Sequence, residues 1–411
     1  MSTTSKLNVL FISLLDFSDL NESNIYTDLL SEFVEQGHFV TAISPIEKKN
    51  YSNQKDIFLD NIRIYKPLIG NIQKTNIIEK GISTITLERI IIRKLKKINI
   101  KFDLILYTTP PVTFEKCIRY IKKRDNAISY LLLKDIFPQN AIDLGIIKTN
   151  FPGKLIHNFF KKKEANLYKV SDFIGCMSPA NMSYIIQHNK IDPSKIEVNP
   201  NTEKPKFPYK ETSRNETLSK YKIPNNKRIF IYGGNFGKPQ GVDFIKSSLM
   251  EVELKKNVFF VLVGSGTEYD RLSEFIMTKK LRNSMIMPKL PRDNFEELVQ
   301  SCDVGLIFLD YRFTIPNFPS RLLTYLKYKK PVLMAIDRAT DVGTISKDND
   351  FGDFVYSNDV EAFSNMIDVF ANSDSLEIMG QNAFRYYMDN YTSIVSYNKI
   401  IAKAGITYGN K

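Results

Sequence analysis

The second half of the chain contains a glycine-rich loop whose residue types suit phosphate binding. The loop, residues 232–241 (YGGNFGKPQG), follows an apolar run and precedes a helical stretch. Its glycines are Gly233, Gly234, Gly237 and Gly241. Glycines let backbone N–H groups approach a ligand closely, and a helix N-terminus adds positive potential. Lys238 is the side chain here best suited to meet a phosphate, and the alternative is a tight turn with an exposed lysine.

Two further loops in this half follow the same order of strand, turn and helix. Gly264 and Gly266 follow an apolar run, although one GxG pattern is a weak signal of a ligand. The other loop, TIPNFPSRLLTY (314–325), places Arg321 in the first turn of a predicted helix, with Ser320 able to cap it. The helix dipole disfavours an arginine there unless an anion also binds, so we predict a diphosphate contact. The alternative is a surface arginine paired with a carboxylate.

One carboxylate in the first half is a candidate for acid–base chemistry. Asp135 directly follows the apolar run 128–134, in the sequence KDIFPQN. Ligands of parallel sheets bind beyond the carboxyl ends of the strands, so Asp135 is predicted to face a ligand from the first half of the chain. The alternative is a helix cap or a turn residue.

Two short strings that resemble known motifs are better explained as turn residues. Asp350-Phe351-Gly352 spells a kinase DFG, but no matching catalytic loop or strand lysine accompanies it. Asp348-Asn349-Asp350 spells the DxD of metal-dependent sugar transferases, but it lies in an acidic turn. We therefore predict no metal site.

Short apolar runs alternate with helical stretches along the chain, a pattern typical of parallel sheets covered on both faces. The predicted strands are Leu7–Ser13, Phe39–Ser44, Leu104–Thr108, Ile128–Lys134, Phe173–Met177, Ile229–Tyr232, Val258–Val263, Ser284–Met287, Val304–Leu309 and Pro331–Ala335. The polar, proline-containing stretch 200–227 predicts a linker. We expect two doubly wound α/β domains, 1–205 and 220–389, with the ligand in a cleft between them.

Composition excludes several classes of protein. The chain has 411 residues, 3 cysteines and 3 histidines, which argues against a disulfide framework and against a histidine-built metal site. No apolar run is long enough to span a membrane, and the first residues do not show a signal-peptide pattern. A cytoplasmic location is therefore expected. The net charge is +12, but no aromatic–basic or zinc pattern accompanies it, so nucleic-acid binding is not predicted.

Part of the basic excess lies in Ile82–Lys101, where isoleucines mix with arginines and lysines. Such a segment is typical of interfacial helices that lie on anionic membranes. The alternative is an ordinary helix packed on its own sheet. A peripheral position on the inner face of the plasma membrane is one reading of this segment.

Taken together, the motifs resemble the retaining GT-B glycosyltransferases of family 4, especially the L-fucosamine-type transferases of O-antigen and capsule assembly. The segments that carry the resemblance are 131–147, 231–244, 261–272, 290–309 and 317–343. The resemblance implies two Rossmann-like domains facing across a cleft, with the C-terminal helix, from residue 390, crossing back to the first domain. It also implies transfer of a sugar, such as N-acetyl-L-fucosamine, from a UDP-sugar to a lipid-linked or glycan acceptor.

The resemblance also assigns roles to residues. Asp135, Lys238 and Arg321 would be catalytic, without a metal or other cofactor. Donor contacts would come from Gly233, Gly234, Asn235, Gly237, Gln240, Gly264, Gly266, Lys289, Asn317, Phe318, Ser320 and Thr324. The first domain would take the acceptor.

The sequence departs from the family pattern at several of these positions. Asn235 and Gln240 stand where many members have arginine and lysine, and the E-x7-E glutamates fall on Pro316 and Thr324. Two alternatives follow: an inactive GT-B partner subunit of another transferase, or a UDP-sugar epimerase.

Overall fold

The computed structural model describes residues 6–20, 22–51, 55–72, 75, 77–143, 153–206 and 212–406. The chain divides into two compact units. The first unit comprises Met1–Lys204 together with Thr392–Lys411, and the second comprises Pro205–Tyr391.

The first unit is built on a mostly parallel sheet whose central strands are buried. Its strands are β1 (Asn8–Ile12), β2 (Phe39–Ile43), β3 (Ile46–Glu47), β4 (Ile57–Leu59), β5 (Ile62–Tyr65), β6 (Leu68–Ile69), β7 (Leu104–Thr108), β8 (Ile128–Leu133), β9 (Phe173–Cys176) and β10 (Ile196–Val198). Among the described residues the main sheet has the order β10-β9-β8-β7-β1-β2-β5-β4, and β3 pairs with β6 separately. Only the β4–β5 pair of the main sheet is antiparallel.

Helices cover this sheet. They are α1 (Thr27–Glu35), α2 (Ile77–Leu95), α3 (Glu115–Asp125), α4 (Gln139–Asp143), α5 (Gly153–Val170), α6 (Pro179–Asn189) and, from the end of the chain, α15 (Ser393–Lys403). Helix α1 begins at Thr27, after a turn in which the Asn24 side-chain oxygen accepts the N–H groups of Tyr26 and Thr27.

The second unit contains a fully parallel sheet. Its strands are β11 (Arg228–Asn235), β12 (Val258–Ser265), β13 (Ser284–Pro288), β14 (Val304–Phe308), β15 (Val332–Ile336) and β16 (Gly352–Tyr356). The helices of this unit are α7 (Arg214–Lys220), α8 (Val242–Glu253), α9 (Tyr269–Thr278), α10 (Arg292–Ser301), α11 (Leu322–Lys327), α12 (Val342–Asp348), α13 (Val360–Ala371) and α14 (Leu376–Asn390). The strand order is β13-β12-β11-β14-β15-β16. Alternate residues of β11 belong to different apolar cores, one holding Ile229 and Ile231 and the other Phe230 and Tyr232. The predicted doubly wound α/β class is confirmed.

The C-terminal helix returns to the first unit, as expected. Helix α15 packs against α1, and its Tyr397 is buried there. The Leu7 N–H donates to His38 Nδ1, so the other ring nitrogen carries the proton and donates to the Tyr397 hydroxyl at 2.8 Å. Burial lowers the pKa of His38, which keeps this neutral form. Ser393 bonds to the Glu32 carboxylate at 2.9 Å.

The expectation of a linker over 200–227 is wrong for much of its length. Asn201 and Thr202 are buried in the first unit, and α7 lies inside the predicted linker. Leu218 and Ile223 enter the core of the second unit although polar residues surround them in sequence. Polar contacts also hold this short helix, since Arg214 pairs with Asp303 and Lys220 pairs with Glu297.

Tyr397→Phe tests the attachment of the last helix. The change leaves the buried His38 N–H without an acceptor, so we expect a loss of about 1–3 kcal/mol in the free energy of unfolding. Urea denaturation would measure it. Tyr311→Phe, at a tyrosine that is 55% exposed, is the matched control and should leave the midpoint unchanged. Equal midpoints for both variants would contradict the assignment.

Candidate active site

The candidate site lies at the carboxyl ends of β11, β12 and β14. The strand order reverses between β11 and its neighbour β14, and such switch points are where open parallel sheets bind ligands. Strands β11 and β12 are in register, with Gly234 opposite Gly264. The two glycine-containing loops are therefore neighbours in space.

The glycines of these loops allow the loops to touch. A Cβ on Gly264 would lie 1.8 Å from the Gly234 carbonyl oxygen, and one on Gly266 would lie 2.2 Å from the Phe236 oxygen. Gly266 also has φ of +150°, a conformation that favours glycine. A Cβ on Gly233 would lie 2.0 Å from the ring of Phe295. Packing alone thus requires glycine at these three positions.

Arg321 lies beside the first loop, close to Gly234. A Cβ on Gly234 would approach the guanidinium carbon to 2.9 Å, and φ at Gly234 is +144°. On another side the guanidinium stacks on the ring of Tyr232, with its carbon 4.4 Å from the ring centroid. The Arg321 Nη1 atom is buried and has no hydrogen-bond partner within the described part of the chain. Leaving a charged donor unsatisfied is costly, so the arrangement suits an anionic ligand.

Tyr232 fixes the arginine in place. Its ring is fully buried, its hydroxyl donates to the Asn235 carbonyl at 2.7 Å, and desolvation raises its pKa. The sequence reasoning missed this residue. Its type and position gave no signal, because its ring packs in the apolar core beside Phe236 and Phe308 like an ordinary core residue of β11.

Arg321 directly precedes α11 instead of lying in its first turn, and its own side chain does not cap this helix. The Tyr325 hydroxyl accepts the Gly233 N–H and donates to the Ile231 carbonyl, both at 3.1 Å. These two bonds hold the start of α11 against the end of β11. Tyr325 therefore supplies an anchorage for α11 that the sequence did not predict, and the cap at Ser320 stays a prediction.

Asn235 and Gln240 shape the first loop. Gln240 is buried, and its side-chain oxygen accepts from the Asn235 amide and from the Gly237 N–H, both at 3.0 Å. The turn Lys238–Gln240 is a 3-10 helix that leads into α8. This pair uses the Asn235 NH2 group and the Gln240 oxygen, so the predicted donor contacts would involve the Asn235 oxygen or the Gln240 NH2 group.

Lys238 is exposed and lines a cavity of about 510 Å³ beside the start of α8. The cavity's arginines are already paired: Arg271 lies 2.6 Å from Asp243, and Arg312 lies 2.6 Å from Asp310. Lys238 makes no ion pair with the described residues. It is free to meet an anion, although the structure shows no contact between Lys238 and Arg321.

The remaining predicted donor contacts lie on the same edge of the sheet. The Asn317 carbonyl accepts the Thr340 hydroxyl at 2.6 Å, and the Phe318 ring packs 6.2 Å from that of Tyr391. Ser320 and Thr324 flank Arg321, Ser320 exposed and Thr324 half-buried. Lys289 is exposed directly after β13, an outer strand of this sheet.

Asp135 lies in the first unit, just past β8. Its carboxyl reaches the surface, yet surrounding protein raises its pKa by desolvation. The Thr109 hydroxyl oxygen accepts the Lys134 N–H at 3.1 Å and fixes this turn. Burial also lowers the pKa of Lys134 to about 7, which the sequence did not signal. Asp135 contributes to raising the pKa of Tyr26, so these two groups are close.

The described residues contain no group of three histidine, cysteine, aspartate or glutamate side chains placed to hold a metal ion. The searched helices in the same part of the chain include none long and apolar enough to cross a bilayer.

Comparison with known proteins identifies a domain type for this region. Residues 213–386 match the family model "Glycosyl transferases group 1". The chain is 23% identical over 275 residues to "Probable glycosyltransferase WbjE" of Pseudomonas aeruginosa, covering 66% of each protein. It is 22% identical over 247 residues to "Putative colanic acid biosynthesis glycosyl transferase WcaI" of Escherichia coli, covering 60% of each. The matches thus span just under two thirds of these relatives.

A solved structure supports the fold over nearly the full length. The Anabaena protein HepE, crystallised in complex with UDP, aligns with a TM-score of 0.67 at 13% identity. The alignment covers 98% of this chain and 100% of HepE. The chain therefore has the GT-B fold, and residues 213–386 of its second unit match the group 1 glycosyl transferase model.

Gly264→Ala tests the contact between the two loops. The added methyl group overlaps the Gly234 carbonyl, so we expect a loss of about 1–3 kcal/mol in stability. A lower midpoint of urea unfolding would show it. Ser265→Ala, one residue along the same loop, is the control, because Ser265 is exposed and pairs through its backbone. Unchanged stability in the glycine variant would show that the loops do not need this approach.

Proposed function

Because residues 213–386 form a group 1 glycosyltransferase domain on a GT-B fold, we propose that this protein transfers a sugar from a UDP-sugar to a lipid-linked or glycan acceptor. We further propose that the reaction belongs to bacterial surface polysaccharide synthesis and retains the anomeric configuration. The relatives named for colanic acid synthesis and for UDP binding support the pathway and the nucleotide. The resemblance to L-fucosamine-type transferases favours an N-acetylamino sugar.

The observation that carries this proposal is the buried Nη1 atom of Arg321, which has no hydrogen-bond partner among the described residues. When the sugar–phosphate bond breaks, negative charge develops on the leaving diphosphate, and preorganised donors stabilise it most effectively. Arg321 is held in place by Tyr232, and its buried Nη1 has no partner. Lys238, at the start of α8, is the second cation proposed for the diphosphate. With these cations, the proposed reaction needs no metal or other cofactor.

Asp135 is proposed to orient or deprotonate the acceptor hydroxyl. In retaining transfer with attack on the front face, the departing phosphate can take the acceptor proton, so this carboxylate assists and is not compulsory. Burial raises its pKa, which makes this carboxylate a stronger proton acceptor than an ordinary aspartate. We propose a cytoplasmic location, peripheral on the inner face of the plasma membrane.

A non-catalytic role is the second candidate, and a specific observation favours it. Pro316 and Thr324 replace the glutamates of the family pattern, and Thr324 cannot offer a carboxylate to the ribose. Incubation with a panel of UDP-sugars separates the possibilities. Transfer or slow donor hydrolysis supports the proposal, whereas isomerisation of the donor without acceptor indicates an epimerase. Binding without any turnover indicates a partner subunit.

Arg321→Ala tests the proposed diphosphate contact. Loss of one main charge stabiliser should lower turnover roughly a hundredfold. Release of UDP from the donor measures it. Arg338→Ala is the matched control, because Arg338 also stacks on a tyrosine, 4.0 Å from the ring of Tyr356, but is exposed. Near-normal turnover of the Arg321 variant would refute the assignment.

The pH dependence tests Asp135. Its raised pKa means that the carboxyl stays protonated to higher pH than an ordinary aspartate, so activity should fall as the pH falls through that raised pKa. Asp135→Asn should lower turnover roughly a hundredfold and remove this acidic limb from the pH–rate profile. Asp60→Asn, at an exposed aspartate of the same unit, should leave the profile intact. An unchanged acidic limb in the Asp135 variant would exclude the role.

A further inference from the structure

Helix α2 in the first unit has one face that the described residues leave exposed. Leu87, Ile91 and Leu95 are buried on the core side of the helix. Ile82 and Arg89, seven residues apart and therefore on a shared face, are exposed. One face of the helix thus packs on the core of the first unit, and the other face exposes aliphatic and basic side chains.

The exposed face borders a cavity of about 870 Å³ between α2 and the segment around β3 and β6. Three cations line it: Lys48, Arg89 and Arg93. Within the described residues none of the three makes an ion pair. The single carboxylate in the lining, Glu79, is hydrogen-bonded by Asn71 at 2.6 Å and by Thr75.

Other lysines near this cavity form ion pairs within the first unit, unlike Lys48, Arg89 and Arg93. Lys94 pairs with Asp56 and lies 4.9 Å from the centroid of the Tyr65 ring. Lys163 of α5 pairs with Glu88 at 3.2 Å. Arg89 and Arg93, on the cavity side, therefore form a separate positively charged group that has no carboxylate partner among the described residues.

Aliphatic side chains continue this surface. Ile82 and Ile85 are each 60% exposed, and Leu68 is 42% exposed. Large aliphatic side chains grouped beside unpaired arginines match an amphiphile with an anionic head, because each part of the ligand finds its complement. A nucleic acid fits less well, since the lining residues of this cavity include no aromatic ring for base stacking.

We propose that this cavity binds the phosphate-bearing headgroup of an anionic membrane lipid, with Ile82, Ile85 and Leu68 entering the acyl region. The inference deepens the proposed function, because it rests on the membrane location proposed above and supplies the surface that produces it. It does not depend on how the donor is bound.

Co-sedimentation of the full chain with vesicles tests the site. The unmodified protein should bind phosphatidylcholine vesicles that contain phosphatidylglycerol and should bind pure phosphatidylcholine much more weakly. Arg89→Ala with Arg93→Ala should lower partitioning roughly 30-fold, because each cation near an anionic surface contributes separately. Ile82→Ser with Ile85→Ser should lower it at least tenfold, on the order expected for buried aliphatic groups.

Matched variants in the second unit control for charge and hydrophobicity. Lys256→Ala with Lys279→Ala removes the same charge, and Leu254→Ser with Met277→Ser removes comparably exposed apolar side chains. Both should bind vesicles as the unmodified protein does. Failure of the unmodified chain to bind, or equal losses in test and control pairs, would overturn the inference.

A thermal shift with UDP separates this inference from the proposed function. A preserved shift in every variant shows that the variants are folded and that the donor unit is intact. Absent vesicle binding with a preserved UDP shift overturns only the membrane site. Vesicle binding without any UDP shift would contradict the proposed donor and leave the membrane site standing.

Discussion

The candidate site depends on the guanidinium of Arg321, whose buried Nη1 atom has no hydrogen-bond partner among the described residues. Arg321 is confined by Gly234 on one side and the Tyr232 ring on another. Two hydrogen bonds fix the surrounding elements. The Tyr325 hydroxyl joins α11 to β11, and the bond between Gln240 and Asn235 closes the glycine-rich loop. The cost of a buried unpaired donor is then offset only when an anion binds, so stability and ligand affinity are linked at this point.

Much of the fold was predictable because parallel strands buried on both faces are continuous apolar runs. Strand β7 was predicted with its observed bounds, and most strands of the second unit were placed to within a few residues. Strands β4 and β6 were not predicted, because they are short and expose side chains such as Phe58 and Leu59. These strands are defined by their pairing, β4 with β5 and β6 with β3, and two or three residues are too few to show a periodicity.

The candidate site also contains residues that the sequence predicted and residues that it did not. Gly234, Gly264 and Arg321 were identified from residue type and position, because glycine and a misplaced charge are visible in a sequence. The mutual bond between Asn235 and Gln240 was not, since an amide that binds ligand and one that binds a neighbour look identical in sequence. Lys134 was missed for a similar reason: its lowered pKa comes from burial by residues far along the chain.

The return of α15 to the first unit has a consequence for the order of folding. Tyr397, Ile400 and Ile401 complete the core that Leu29, Leu30 and Phe33 begin, yet they are synthesised last. The core of the first unit is therefore completed only after the whole second unit has been translated. The second unit can fold while the first unit still exposes an apolar face. A chain interrupted before α15 would retain all of residues 213–386 but carry an open, aggregation-prone first unit.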